Sequence, residues 1–519
     1  MELRKQMIHT NEIGKMIIDQ FFIDEDYNVP DSKYDVGRVV QSDGKVQIED
    51  VKPADNYLKV TGKLYFHILY VTDEGEPKLA SLEGKQPFEE MVYIESGADG
   101  NYIVRESRVE FTASLIHSRK LSIKTMVELS VHSEKMAEEE LTTDIDSDQT
   151  LYKRQEPVTL LQIHSAKKDT YRIKEEITIP GTKETIGNLL WTDVADRKLD
   201  TKLGPDELLI TGELLVFCFY ESMEGKIDWV EQAVPYEGRV ESYGTDQSMY
   251  HHVYAKLEDV AVEPRMDEDG EMRVLGIEGT LDLRIAVYEE EEIEILKDVY
   301  SLETQCTLET RESSYEELMM QNHSKCKVAE QLSLPELKDD ILQICHSSGK
   351  LQIDRMEVTD DGIEIEGVLH VNFLYVKSND EVPFDTWQGM VPFSYLMESN
   401  ETCEDMRYDI TNAVEQLSVT MMGNDQIEVK AVLAFNSFLR RPVKTDVITG
   451  IMTEPYSLEE VEKRPGITGY LVKAGDDLWG LAKRYCTTVE GIMEVNDLEG
   501  ENIKEGDKIL IFKENMSIL

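Results

Sequence analysis

Hydrophobic and polar residues alternate with the same punctuation at three places along this chain. The segments are Val60-Thr61-Gly62-Lys63-Leu64-Tyr65-Phe66-His67-Ile68-Leu69-Tyr70, Ile210-Thr211-Gly212-Glu213-Leu214-Leu215-Val216-Phe217-Cys218-Phe219-Tyr220 and Ile365-Glu366-Gly367-Val368-Leu369-His370-Val371-Asn372-Phe373-Leu374-Tyr375. Each sets a glycine eight residues before a tyrosine. A period of two marks a half-buried strand. Leu64, Phe66, Ile68 and Tyr70 share one face, matched by Leu214, Val216, Cys218 and Tyr220 and by Leu369, Val371, Phe373 and Tyr375. The other face carries His67, His370 and Asn372, which predicts a sheet packed on one side and partly exposed on the other.

The punctuation extends in both directions. An apolar-Pro pair (Val29-Pro30, Ile179-Pro180, Leu334-Pro335) lies 32 residues before each glycine, counted from the proline. A Pro-aromatic pair follows at Pro87-Phe88, Pro235-Tyr236 and Pro392-Phe393. A second alternating strand recurs at Leu121-Ser122-Ile123, Leu275-Gly276-Ile277-Glu278 and Ile427-Glu428-Val429-Lys430. Apolar residues six and nine positions after the first proline (Val36/Val39, Ile186/Leu189, Ile341/Ile344) predict a short helix opening there. Such coincidences make an internal repeat. The expected architecture is mainly β, with three tandem β-sandwich-like units of about 150 residues at 1–150, 151–312 and 313–455, each with one short helix.

The tail changes period. Tyr470-Leu471-Val472 predicts a strand, Gly475 a tight turn, and Leu478, Leu481, Ala482 and Tyr485 one face of a helix over 478–484. Asp476 is placed to cap that helix. Thr487-Thr488-Val489-Glu490 fits a capping box for a second helix with Ile492, Met493 and Val495 as apolar positions. Lys508–Phe512 is the closing strand. The result is a small βααβ domain over 467–513, after a linker near 456–466.

Composition narrows the function. The chain has 519 residues, 41% hydrophobic and 30% charged, typical of a globular chain, with 54 basic against 104 acidic residues and a net charge of −50. An acidic surface repels phosphate backbones, which argues against nucleic-acid binding. Glu138-Glu139-Glu140 and Glu289–Glu292 are expected to be solvated turns rather than metal sites. The N-terminal residues lack the apolar core of a signal peptide, and no apolar run reaches the ~20 residues that span a bilayer. Six cysteines without a CxxC pair fit reduced thiols.

Catalytic signatures are missing: there is no phosphate-binding G-x-x-x-x-G-K-[ST], H-E-x-x-H, G-x-S-x-G or G-x-G-x-x-G. His251-His252 is read as a solvated loop rather than a zinc site. His67 and His370 are taken as one repeat position, occupied by Phe217 in the second copy, so packing is the favoured role. Cys486 is expected to be a semi-buried inert thiol, Trp479 a core residue with an exposed edge, and Asn496 either a helix cap or a ligand contact. No enzyme activity, cofactor or metal is expected.

The run Gly469-Tyr470-Leu471-Val472-Lys473-Ala474-Gly475-Asp476-Asp477-Leu478-Trp479, with Asn496 and Ile503–Ile511, resembles a LysM module. That family binds N-acetylglucosamine-containing glycans such as peptidoglycan. The threefold Pro-Gly-Tyr frame resembles the SPOCS domain of spore-coat-associated morphogenetic proteins, where tandem copies precede a C-terminal LysM module. The resemblance implies a non-enzymatic scaffold in the mother-cell cytoplasm at the forespore surface, partnered by the basal-layer coat ATPase and other coat proteins. Peptidoglycan binding in the envelope is the alternative, and a wall hydrolase a third reading lacking a catalytic domain. The binding surface implied is the loop pair Gly475, Asp476, Asp477, Leu478 and Asn496, Asp497, Leu498. Asp477, Gly480 and Phe512 depart from the family's usual Thr, Ser and Pro. Asp477 adds a second negative charge to the loop, so Asp477→Lys is expected to weaken partner binding with little effect on folding.

Overall fold

In a computed structural model of the chain, residues 1–73, 78–95, 101–337, 340–378, 383–423, 425–457 and 465–513 are described. Three units repeat one strand plan. In the first, β1 (Glu2–Ile13) and β2 (Ile17–Asn28) precede a meander of β3 (Val36–Ala54), β4 (Tyr57–Thr72) and β5 (Leu79–Tyr93), followed by β6 (Asn101–His117) and β7 (Lys120–Asp146). The second runs through β8 (Tyr152–Thr178), the meander β9 (Ile186–Gly204), β10 (Glu207–Ser222) and β11 (Ile227–Glu241), then β12 (Tyr250–Met266) and β13 (Met272–Tyr300). The third has β14 (Thr304–Ser333), the meander β15 (Ile341–Thr359), β16 (Gly362–Lys377) and β17 (Phe384–Glu398), then β18 (Arg407–Met421) and β19 (Gln426–Pro455). The boundary expected at 312–313 falls inside β14, which begins at Thr304.

Each meander is a three-stranded sheet; the remaining strands of the first unit form its facing sheet, and those of the second and third units face their own meanders while joining edge to edge, at Leu161 and Glu316, in one six-stranded sheet. The alternating residues of the central strand fill the space between. Leu64, Phe66, Ile68 and Tyr70 pack with Phe21 and Ile23 of β2 and with Leu121, Ile123 and Val127 of β7. Their counterparts do the same in the other units. The sandwich expected from the sequence is therefore present three times.

The repeated glycine and the repeated Pro-aromatic pair are two halves of one contact. Gly62 lies opposite Phe88, Gly212 opposite Tyr236 and Gly367 opposite Phe393 on the neighbouring strand. The aromatic ring lies over the glycine, and a Cβ there would come closer than 3.0 Å to the ring of Phe88 or Tyr236. At Gly62 and Gly367 the carbonyls of Gln47 and Gln352 close the other side. The register of the adjoining strand shifts beside each glycine, between Ile48 and Asp50, opposite Thr211 to Glu213, and between Ile353 and Arg355. Glycine at a bulge with an aromatic laid across it is a known way of bending a sheet.

The tyrosine that ends the motif is fully buried in each copy. Its hydroxyl donates to the carbonyl 36 residues earlier in the first two: Tyr70 to Tyr34 and Tyr220 to Glu184, both at 3.0 Å. The helix expected after the apolar-Pro pair does not form in the first two units. Pro30 and Pro180 open tight turns, and only Pro335–Leu337 makes a 3-10 turn. Val36, Ile186 and Ile341 instead begin strands. The apolar residue before each proline is buried, and its amide is held by the carbonyl of Arg119, Arg273 or Asp425. This fixes the turn without a helix.

The second face of each meander is partly exposed, as expected, around Lys63 and Tyr65, but its far end is covered by the other units. Leu69, Phe217, Phe219 and Leu374 join Val40, Leu79, Trp191, Cys345 and Phe384 in one apolar cluster drawn from all three units. His67 stacks on Trp191 of the second unit with ring centroids 4.4 Å apart. Phe217 stacks on His346 of the third at 4.1 Å. Thr386 of the third donates to the Val40 carbonyl of the first at 2.6 Å, and Lys350 pairs with Asp43 at 2.7 Å. The contacts run from first to second, second to third and third to first, closing a ring. By register, His67 and Phe217 correspond to Asn372, not to His370, which aligns with Tyr65 and Leu215. Packing still describes His67.

The long strands build a second meeting point. Ile8, Leu141, Leu160, Ile293, Tyr315 and Val447, again from all three units, form one cluster. The glutamate runs lie here on β7 and β13 rather than in turns. Glu291 accepts from Gln6 and Gln162, both at 2.8 Å, and Glu139 from Ser313 at 2.8 Å. His251 and His252 sit on β12, where His251 lies 3.1 Å from the Thr201 carbonyl.

Two predictions follow from these contacts. Gly212→Ala should lower the melting temperature by the equivalent of ~2–3 kcal/mol, because the new methyl must displace a buried ring. Gly225→Ala sets the comparison for strain without crowding, since Gly225 has open space at φ +78°. His346 supplies the second. Its Nδ1 lies 2.6 Å from Glu231 and its Nε2 3.1 Å from Asp193, across the seam between second and third units. Burial would lower the imidazole's pKa, but the two carboxylates outweigh it and raise it. Its contribution to stability is fully present below the unfolded imidazole's value of about 6.5 and is lost as pH rises through the raised folded value. Thermal melts across pH should show the wild type losing stability on the alkaline side, a slope absent in His346→Gln. At neutral pH that variant should melt lower by roughly 3 kcal/mol, because it strands two carboxylates.

Candidate binding module and its docking face

The tail forms the expected βααβ unit: β20 (Ile467–Leu471), α1 (Leu478–Tyr485), α2 (Val489–Val495) and β21 (Lys508–Phe512), with β20 and β21 antiparallel. The expected linker at 456–466 lies largely outside the described residues. Val472, Leu478, Leu481, Ala482, Ile492, Ile509 and Ile511 are its core. So small a core leaves little to spare.

The two aspartates of the first loop exchange roles relative to expectation. Asp477 is the residue that caps α1, its carboxylate accepting from the Gly480 amide at 2.8 Å. Asp476 instead closes the preceding turn, accepting from the Lys473 amide at 2.8 Å and the Tyr470 hydroxyl at 2.9 Å. Those two bonds hold its carboxyl below the usual range. Gly475 takes φ +85°, which explains the glycine. In α2 the cap is Thr488, bonded to the Gly491 amide. The third helical position is thus Gly491, and Glu490 cannot close a reciprocal capping box.

Asn496 is structural as well as terminal. It ends α2, its Nδ2 donates to the carbonyls of Ile492 and Leu510, and its Oδ1 accepts from the Leu510 amide. Asp497 follows in the left-handed region, at φ 50°. Leu478 and Leu498 enter the same apolar core. The two loops are therefore joined through that core. Cys486 is buried and turns the chain between the helices at φ 54°.

Sequence reasoning did not anticipate that this module is docked. Tyr152, Tyr300 and Leu302 at the strand ends of the second unit belong to the module's own core. Tyr300 packs edge-on against Trp479 with centroids 4.9 Å apart and donates its hydroxyl to the Thr487 carbonyl at 3.0 Å. Asp298 accepts from Trp479 Nε1 at 2.8 Å and from Lys483 at 2.5 Å. Arg154 pairs with Asp477 at 2.6 Å, with both side chains about half exposed. An ion pair so exposed contributes only ~0–1 kcal/mol. Asp298, with two charge-assisted or indole donors, is the stronger tether.

These contacts revise what a substitution at Asp477 does. Asp477→Lys removes a helix cap and the Arg154 pair, so it should cost ~1–2 kcal/mol of module stability instead of leaving folding untouched. Asp298→Ala lies outside the module and spares its caps. In the full chain it should speed hydrogen exchange at residues 478–485 by about ten-fold or more, equivalent to the 1.5–3 kcal/mol of hydrogen bonds to a charged group. Exchange in the three β units should not change. Unaltered exchange at 478–485 would mean that docking does not depend on Asp298.

The comparisons agree with this construction. The family model described as "SipL, SPOCS domain" matches residues 35–116, 185–265 and 340–422, which span the three meanders and most of the strand after each. The LysM domain model matches residues 470–512. No curated protein and no solved structure matches the chain. Among the described residues, no helix is long and apolar enough to cross a membrane. The chain thus carries three SPOCS domains followed by a C-terminal LysM domain.

Proposed function

We propose that this protein is a non-enzymatic morphogenetic scaffold of the spore coat, held at the forespore surface on the mother-cell side and engaging the basal-layer coat ATPase through its LysM domain. The domain content supports a sporulation role and a binding module. The observation that carries the protein-binding reading is the docked module itself. Trp479, Lys483 and Asp477 already contact protein groups, Asp298 and Arg154, through one side of α1. A surface so equipped recognises a protein partner with the same chemistry. The loops Gly475–Leu478 and Asn496–Leu498 remain the proposed contact surface.

Glycan binding is the second reading, favoured by the LysM match. Purified full-length chain, sedimented with peptidoglycan and captured on the immobilised coat ATPase, separates the two. The scaffold reading expects ATPase capture that Asp477→Lys weakens at a temperature where hydrogen exchange shows the variant's module still folded. The glycan reading expects sedimentation with peptidoglycan and no capture. In sporulating cells, a chain lacking residues 464–519 should fold its three β units yet lose the forespore surface. Normal localisation of that truncation would transfer the targeting role to the SPOCS domains.

A further inference from the structure

A cleft of about 500 Å³ lies between the first and second units. Its floor holds Tyr254, Arg284 and Lys168, which sit directly opposite one another across β12, β13 and β8. Arg105 reaches in from β6 of the first unit and lies over the Tyr254 ring at 4.0 Å. Two cations placed face to face across strands repel each other, and a third overhead adds to it.

In this chain such cations ordinarily have carboxylates. Arg440, fully buried at the other seam, is met by Glu316 at 3.1 Å and Asp409 at 2.6 Å. In the cleft the neighbouring Lys256 takes Glu106 and Glu258. Glu49 and Asp50 on the opposite wall are engaged by Lys63 and Lys52. No ion pair joins Arg105, Arg284 or Lys168 to any carboxylate among the described residues. Arg105 Nε and Arg284 Nη1 are moreover buried donors without an acceptor. Burial lowers the pKa of Arg284 and Lys168, and the neighbouring cations lower them further. Asp282 is the one lining carboxylate without a lysine or arginine partner. Glu134, hydrogen-bonded to His132 at 3.1 Å, is a second carboxylate acting on Arg284 and Lys168.

Buried charged donors are expensive to leave unmatched, and proteins match them. Asp282 and Glu134 face these three cations without forming an ion pair with any of them, which leaves two guanidinium donors unmatched in a cleft large enough for a small ion. We propose that this cleft is a binding site for a small oxyanion of the phosphate class, with Arg284 and Arg105 supplying guanidinium donors and Lys168 a point charge. Planar guanidinium pairs suit tetrahedral oxyanions. The bound group is either free phosphate or the phosphoryl of a monoester. The site spans two SPOCS domains, so its occupancy ties the first unit to the second.

Isothermal titration of the full-length protein at constant ionic strength tests this with three probes: inorganic phosphate, phenyl phosphate and chloride. Saturable one-to-one binding of phosphate without chloride competition is expected. Phenyl phosphate binding as well as phosphate would identify an open monoester site, and phosphate alone a closed one. Arg105→Gln with Arg284→Gln should weaken binding at least about ten-fold, the loss expected for charge-assisted bonds. Arg239→Gln, remote from the cleft, should leave it unchanged. Phosphate should raise the wild-type melting temperature but not that of the double variant, which keeps the test informative if the variant's stability changes. Absence of saturation in the millimolar range, equal displacement by chloride, or full binding by the folded double variant would overturn the assignment.

Discussion

The whole assembly depends on sheets whose outer faces turn apolar where the units meet. A meander with Leu64, Phe66 and Ile68 on one side and Leu69 on the other must be covered twice. The unit's own second sheet covers one side. Only another unit can cover the other, and the cluster of Leu69, Phe217, Phe219 and Leu374 is where that happens. Each fully buried large apolar side chain there contributes ~1.5–3 kcal/mol relative to exposure. Three units sharing such a core form one body rather than beads on a string.

That constraint explains which features could be read from the chain. The inward face of each central strand, the repeated glycine, the Pro-aromatic pair and the terminal tyrosine were all visible, because local sterics and burial dictate their residue types. The partnership between glycine and aromatic was not, since it is a cross-strand contact separated by about two dozen residues of sequence. The outer face looked polar because His67 and Asn372 lie on it. Their neighbours from other units decide its burial, and nothing local encodes them. The same cause misassigned the glutamate runs: Glu139 and Glu291 are acidic strand positions that serve residues of other units. The helix expected after Pro30 and Pro180 fails for a different reason. Apolar spacing of three is shared by a helical turn and by a strand carrying a bulge, and the register shifts at Val36/Arg38 and Val39/Gln41 show that the bulge prevails.

In the tail, local rules read well and long-range ones did not. The apolar positions of α1 and its extent were legible from periodicity. The exchange of roles between Asp476 and Asp477 turned on one residue of phase, the least reliable part of any helix boundary. Docking was invisible because Tyr300 and Asp298 belong to the far end of β13, almost two hundred residues before Trp479. A lone LysM sequence gives no hint that its first helix faces a protein wall.

The distribution of positive charge completes the picture. With nearly twice as many acidic as basic residues, the chain still places cations where units meet: Lys350 on Asp43, Arg38 on Asp385 at 3.0 Å and Lys256 on Glu106. An exposed pair of this kind adds little, but a buried one fixes which surfaces can meet, because a mismatched approach leaves a charge stranded. The apolar cluster supplies the affinity between units, and the cations supply their order. The tail follows the same rule on a smaller scale, with Tyr300 and Trp479 as the apolar contact and Asp298 and Arg154 as its polar register. Joined through shared cores, the three units present their surfaces at fixed separations, the condition under which several weak contacts add to a strong one.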